Sequence, residues 1–223
     1  RFQVGFQYQH GVRKNDRIVP INLKTVADFY SFLPDLSAKY KFSRTKELDF
    51  NYNTQTNTPS INQIQDFINN QNELRITNGN PNLNQEYAHK VRLQYKDVNR
   101  KTGRSLTTNV NFEYTQDKII NSILQTDSSI FLFEDVRLGA GGQYIRPINT
   151  DGAYAVRLNN SYGAPIEKLK ININLNTRLY LNNELAEIND LPIKNKTFGY
   201  GQSVGLNSKF SKRYIIGLSY HID

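Results

Sequence analysis

Apolar and polar residues alternate along nine stretches of the chain, the period-two pattern of strands with two unlike faces. Phe2, Val4, Phe6 and Tyr8 open the series, with Gln3, Gly5, Gln7 and Gln9 opposite them. Leu36, Ala38, Tyr40 and Phe42 follow, then Leu48, Phe50 and Tyr52. Tyr87, His89, Val91, Leu93 and Tyr95 alternate with Lys90, Arg92, Gln94 and Lys96; Leu106, Thr108, Val110, Phe112 and Tyr114 alternate with Thr107, Asn109, Asn111 and Glu113. Tyr154, Val156 and Leu158 stand against Ala155, Arg157 and Asn159. The longest run sets Leu169, Ile171, Ile173, Leu175, Thr177, Leu179 and Leu181 against Lys170, Asn172, Asn174, Asn176 and Arg178. Phe198, Tyr200, Val204, Leu206 and Phe210 form the eighth stretch, and Tyr214, Ile216, Leu218, Tyr220 and Ile222 the ninth.

The apolar phase of all nine stretches contains no Lys, Arg, Asp or Glu. Two architectures bury such a phase. A soluble sandwich turns it toward a shared core; a membrane barrel turns it toward lipid and lines a wet lumen with the other phase. Three features favour the barrel. Connections alternate between short (Ser43–Lys46, Asp97–Arg104, Gly163–Lys168, Ser211–Arg213) and long (His10–Pro34, Asn53–Gln85, Gln116–Asp151, Asn183–Lys196), as periplasmic turns and extracellular loops do. Aromatics gather near strand ends, where interfacial girdles sit. The strands also reach the nine or so residues that a tilted crossing needs.

The expected fold is therefore all-β and antiparallel, a transmembrane barrel segment spanning residues 1–223. The expected lipid-facing positions are Val91, Leu93, Val110, Phe112, Ile171, Ile173, Leu175, Ile216 and Leu218; the expected lumen-facing ones are Arg92, Gln94, Asn109, Asn111, Arg157, Asn172, Asn174 and Arg178. Nine is an odd number, and bacterial barrels close with even ones. Arg1 leads straight into a strand and the chain stops inside another, so the expectation is a piece of a longer polypeptide. A complete wall of about 22 strands, the size class of plugged transporters, is expected.

Composition narrows the chemistry. Aromatics make up 12% of the chain (14 Tyr, 12 Phe), which speaks for folding despite a polar average. Cysteine is absent, which excludes disulfides and thiolate chemistry. His10, His89 and His221 lie far apart, and His89 falls on the apolar phase near a strand end, where an interfacial role is expected rather than metal ligation. No acid–base or nucleophile constellation occurs, so neither an enzyme nor a cofactor or metal site is expected. Gly199, Gly201 and Gly205 share one strand phase with no helix after them, so they read as places where the wall bends or leaves room for a plug. The net charge of +8 is scattered over polar-phase positions and turns, away from the aromatics. Nucleic-acid binding is accordingly not expected. Pairing with acidic plug residues, or attraction of anionic solutes, accounts for it instead.

One loop carries a motif. Gly79-Asn80-Pro81-Asn82-Leu83 precedes Gln85-Glu86-Tyr87 and a strand; upstream stand Phe32-Leu33-Pro34-Asp35-Leu36 and Thr58-Pro59-Ser60. Asn, Gly and Pro make Asn78 to Pro81 a firm turn. Ser60 is placed to cap a short helix carrying Ile61, Ile64, Phe67 and Ile68. The bland reading of the loop is a structural brace. The order resembles the barrel portion of TonB-dependent-receptor-like outer-membrane proteins, the Bacteroidota type above all. That family has an "lPsl" strand start, an "rPs" strand end and a "GNPnLkPE" loop. Asn84 and Gln85 replace its Lys and Pro, and Thr58 its Arg. The resemblance implies TonB-dependent import of a nutrient across the outer membrane of a Gram-negative bacterium. It implies a plug domain of the same polypeptide, N-terminal to the barrel, and TonB and a surface lipoprotein as further partners beside outer-membrane lipid. A non-transporting barrel that scaffolds a surface or assembly complex, and a soluble β-sandwich binding module, are the alternatives.

Overall fold

The computed structural model describes residues 1–17, 23–133, 135–209 and 215–222. Nine strands run as an antiparallel meander, each paired with the next: β1 (Phe2–Arg17), β2 (Leu23–Lys41), β3 (Lys46–Asn57), β5 (Glu86–Asn99), β6 (Arg104–Gln116), β11 (Ala153–Ile166), β12 (Ile171–Ile188), β13 (Leu191–Lys209) and β14 (Ile215–Ile222). The nine alternating stretches fall on these nine strands, apart from Phe42, Leu169 and Lys170, which lie in connections. Phe210, Tyr214 and the Ser211–Arg213 turn lie outside the described residues, as do the side chains of Ile216 and His221.

Register keeps the two phases apart across the whole wall. Phe50 faces Ala38 and Leu93, Leu93 faces Val110, Val110 faces Leu158, and Leu158 faces Leu179. One residue away, Asn51, Arg92, Asn111, Arg157 and Tyr180 make a row on the other face. The apolar face is open. Phe2, Val4, Phe6 and Tyr8 are 66, 67, 74 and 66% exposed, far more than the core face of a sandwich allows. Among the described residues the wall is one layer, with no second sheet on its apolar side.

Short connections share one end of the wall: residues 42–45, 100–103, and the 3-10 turn Glu167–Leu169 with Lys170 left-handed at φ 53°. The opposite, loop end differs from expectation in extent. Much of two stretches read as long loops is strand. β1 and β2 continue through His10–Arg17 and Leu23–Pro34, and β12 and β13 continue to a two-residue tip at Asn189–Asp190. Both tip residues have positive φ, 52° and 60°, as a mirror-image hairpin turn demands.

The other two loops build a mouth module. Residues 58–85 hold α1 (Ile61–Ile64) and β4 (Arg75–Thr77); residues 117–152 hold β7 (Lys118–Gln125), β8 (Ile130–Phe133), β9 (Val136–Leu138) and β10 (Gln143–Thr150). Gln63 lends its side-chain carbonyl to the Ser60 N–H at 2.8 Å, yet the helix ends at Ile64. Phe67 and Ile68, expected on it, lie beyond it. The β6–β11 hairpin bends at Asp117 (φ 51°) and Gly152 (φ 106°) and continues as β7–β10. β7 then joins the end of β12, and β10 takes β4 as a parallel neighbour. The most deeply buried apolar side chains, Ile64, Ile76 and Leu138, are all in this module. A protein core thus exists at the mouth, while the wall keeps its apolar surface outside.

Candidate functional site: the polar face and its mouth

Strand parity alone places the polar-face residues. Arg92, Gln94, Asn109, Asn111, Arg157, Asn172, Asn174 and Arg178 share that face; Val91, Leu93, Val110, Phe112, Ile171, Ile173, Leu175 and Leu218 share the other. Ile216 is paired through its backbone with Ser208.

Charges on the polar face divide into two zones. Toward the turn end of β2, β3 and β5, Lys39 pairs with Glu47 at 3.0 Å and Asp49 at 3.2 Å, and Lys96 reaches Glu47 at 3.9 Å. Lys90 meets Glu113 at 4.0 Å and Gln55 Oε1 at 3.0 Å. Arg92, Arg157 and Arg178 have no ion pair or hydrogen bond among the described residues. They sit among amides: Asn111 lies between Arg92 and Arg157, and Asn159 beside Arg178. Gln94 Nε2 donates to Asn109 Oδ1 at 2.7 Å. The space read at Gly199 is taken. The Tyr180 ring lies across it, where any Cβ would meet that ring.

The Gly79–Leu83 loop is a brace. Asn80 N–H donates to Gln63 O at 2.6 Å and its Nδ2 to Pro147 O at 3.0 Å; its Oδ1 accepts from Asn82 N–H at 3.1 Å and Arg146 at 3.3 Å. One asparagine thereby ties α1 to β10. Leu83 is buried beneath the turn. Pro81 and Asn82 stay exposed. Gln85, where the family has Pro, donates to Tyr30 O at 2.7 Å and Ser31 Oγ at 2.8 Å; Thr58, where it has Arg, accepts from Arg13 at 2.9 Å. Phe29, Ser31 and Leu33, on the polar-face phase of β2, are buried there.

Sequence reasoning gave Glu86, quoted with the loop motif, no role of its own. It lies just outside the apolar stretch that begins at Tyr87, and it accepts from Asn57 Nδ2 (3.0 Å), Ile119 N–H (3.0 Å) and Lys118 Nζ (2.9 Å). Burial pushes its carboxyl up, but these three donors and the lysine charge outweigh burial and hold it below the ordinary carboxylate value. A depressed value means the ionised form stabilises the fold above the ordinary range, and that contribution is lost as pH falls through the folded value. Protection of the Ile119 amide against hydrogen exchange is therefore expected to drop as pH is lowered from neutral to below about 4. Glu86→Gln should remove that pH dependence. Its polar-phase parity was the signal available in the sequence.

Where the polar face meets β7, a cleft of about 480 Å³ is lined by Glu113, Lys118, Arg157, Asn182 and Glu184 among others. A second, of about 410 Å³, opens in the module beside Asn62, Gln65, Asn69, Arg75 and Asn78. Gln65 Nε2 and Asn78 Oδ1 are buried there without a protein partner. The first cleft offers a polar solute groups of either charge, the second amides and the Arg75 guanidinium. No group of three or more metal-binding side chains occurs among the described residues. His89 instead bonds Tyr52 OH at 2.8 Å among Tyr52, Tyr87 and Tyr114.

The fold is shared with a solved receptor. A double mutant of the Serratia marcescens hemophore receptor HasR, in complex with its hemophore HasA and heme, superposes with a TM-score of 0.59 at 12% identity. The match covers 99% of this chain and 39% of that one, so this chain spans well under half of its structural relative. No curated protein matches the sequence. The outer membrane protein beta-barrel family matches residues 2–222. The charge-free outer phase, the one-layer wall and this match together make the chain a member of the outer membrane protein beta-barrel family, located in the outer membrane.

Proposed function

We propose that this chain is a wall segment of an outer-membrane receptor that imports a nutrient in a TonB-dependent manner. The carrying observation is the polar face. A wall whose other face meets lipid turns Arg92, Arg157 and Arg178 toward a lumen without acidic partners among the described residues, and a plug domain of the same polypeptide supplies them. The fold likeness to a hemophore receptor, seen with its hemophore bound, supports a receptor role and a surface partner such as a lipoprotein. The short-turn end is then periplasmic and the mouth module extracellular. The Gly79–Leu83 loop and its neighbours support the Bacteroidota type, and with it a Gram-negative source and a barrel of about 22 strands.

Genetic epistasis tests the reading. Deleting the gene and depleting TonB should each impair growth on the same limiting nutrient, and combining them should add nothing. A deletion defect that adds to TonB depletion favours the second reading, a barrel scaffolding a surface complex. The mouth module, with its own small core, is the feature that favours that alternative.

A further inference from the structure

Four polar side chains on successive strands interrupt the apolar face as consecutive neighbours across it. Thr108 of β6 stands opposite Asn160 of β11, Asn160 opposite Thr177 of β12, and Thr177 opposite Gln202 of β13. Two residues away along each strand the phase is apolar or aromatic again: Leu106 and Val110, Leu158 and Tyr162, Leu175 and Leu179, Tyr200 and Val204. On the apolar phase of β12 no charged side chain occurs from Ile171 to Leu181, and Thr177 lies near the middle of that span. Asn160 and Thr177, the centre of the row, are thus at hydrocarbon depth, not among headgroups.

Within the row, Thr108 Oγ1 donates to Asn160 Oδ1 at 2.7 Å and Thr177 Oγ1 to Gln202 Oε1 at 2.7 Å. Gln202 Nε2 reaches only the Ser203 carbonyl, at 3.3 Å. Asn160 Nδ2 donates to nothing among the described residues. Lipid tails offer it no acceptor, and an amide left unbonded in hydrocarbon is costly.

We infer that this row is the contact through which the protein pairs, inside the membrane, with a second copy of itself. A copy inserted in the same direction carries its own row at the same depth. Amides donate and accept at once, so the row is self-complementary, as a two-fold interface requires. No ionisable side chain lies in it, so an oppositely charged partner has nothing to recognise. The flanking aliphatic side chains supply packing, and the amides fix which faces meet. The inference rests on the apolar face being outward and not on transport, so it stands if TonB dependence fails.

This chain has no cysteine, so a single cysteine introduced in it reports contact once any cysteine elsewhere in the complete protein is replaced by serine. In native outer membranes of cells expressing the complete protein, Asn160→Cys should oxidise to a species of twice the mass. Val4→Cys, on the same face but on β1, should remain single. Replacing the row together (Thr108→Val, Asn160→Leu, Thr177→Val, Gln202→Leu) should abolish the dimer in nanodiscs while heat-modifiable migration shows an assembled barrel. Asn160→Cys cross-linking no better than Val4→Cys overturns the inference, as does a product with a protein of different mass. So does a dimer that survives the fourfold replacement.

Discussion

Leu175→Arg is expected to destabilise the inserted barrel by about 2–4 kcal/mol, while Asn174→Arg, one residue earlier, has little effect. Leu175 sits opposite Tyr162 and Val204 on the apolar face, near the middle of the β12 crossing. A guanidinium there must either enter hydrocarbon or bend toward an interface. Asn174 points the other way, between Gly163 and Gly205, and a longer side chain there extends into water. Urea titration of the barrel refolded in lipid vesicles reads both. Equal losses at the two positions would mean that both phases are buried alike and that the outward assignment is wrong.

Gly79→Ala is expected to cost roughly 1–3 kcal/mol, as overpacking against an immobile neighbour does, and to undo the brace while sparing the wall. A Cβ at this position would run into the Gln65 carbonyl oxygen and stand 2.8 Å from its carbon, with Asn62 O at 3.1 Å. All three are backbone atoms and cannot rotate aside. Relief requires moving the chain, and with it the Asn80 N–H bond to Gln63 and the Asn78 N–H bond to Ile145. Amide exchange at Asn78 and Asn80 should speed up, and protease should nick residues 66–74 more readily. Unaltered exchange at both amides would show that the turn has slack the structure does not contain.

The sequence made the wall legible because hydrocarbon on one side and water on the other impose contrast at every second residue. Val91 to Tyr95 and Ile171 to Leu181 announce their phase without any help from context. The same strands became illegible where they leave the membrane. Lys194, Asn195, Lys196 and Thr197 form part of β13 with no difference between odd and even positions, because water wets both. The two-residue tip was hidden for the same reason. Phe67 and Ile68 misled in the opposite sense. Their helical spacing after Ile64 is real, but the chain turns extended at Gln65, whose carbonyl accepts from the Phe67 N–H two residues on. Glu86 and Asn80 act through partners about thirty and sixty-six positions away, Ile119 and Arg146, a kind of proximity that no periodicity encodes. Arg92, Arg157 and Arg178 were visible as polar-phase residues; that no acid meets them among the described residues was not.

Parallel pairing of β4 with β10 has a mechanical consequence. It splices the segment that follows β3 to the one that follows β6, and Asn189 locks the same patch to the β12–β13 tip through Ile123 and Gln125. Three hairpins are thereby yoked into one rim. A break in the covalent chain near Asn70 to Asn72 would leave both severed ends moored, so a nicked molecule should still migrate as an intact one until it is boiled.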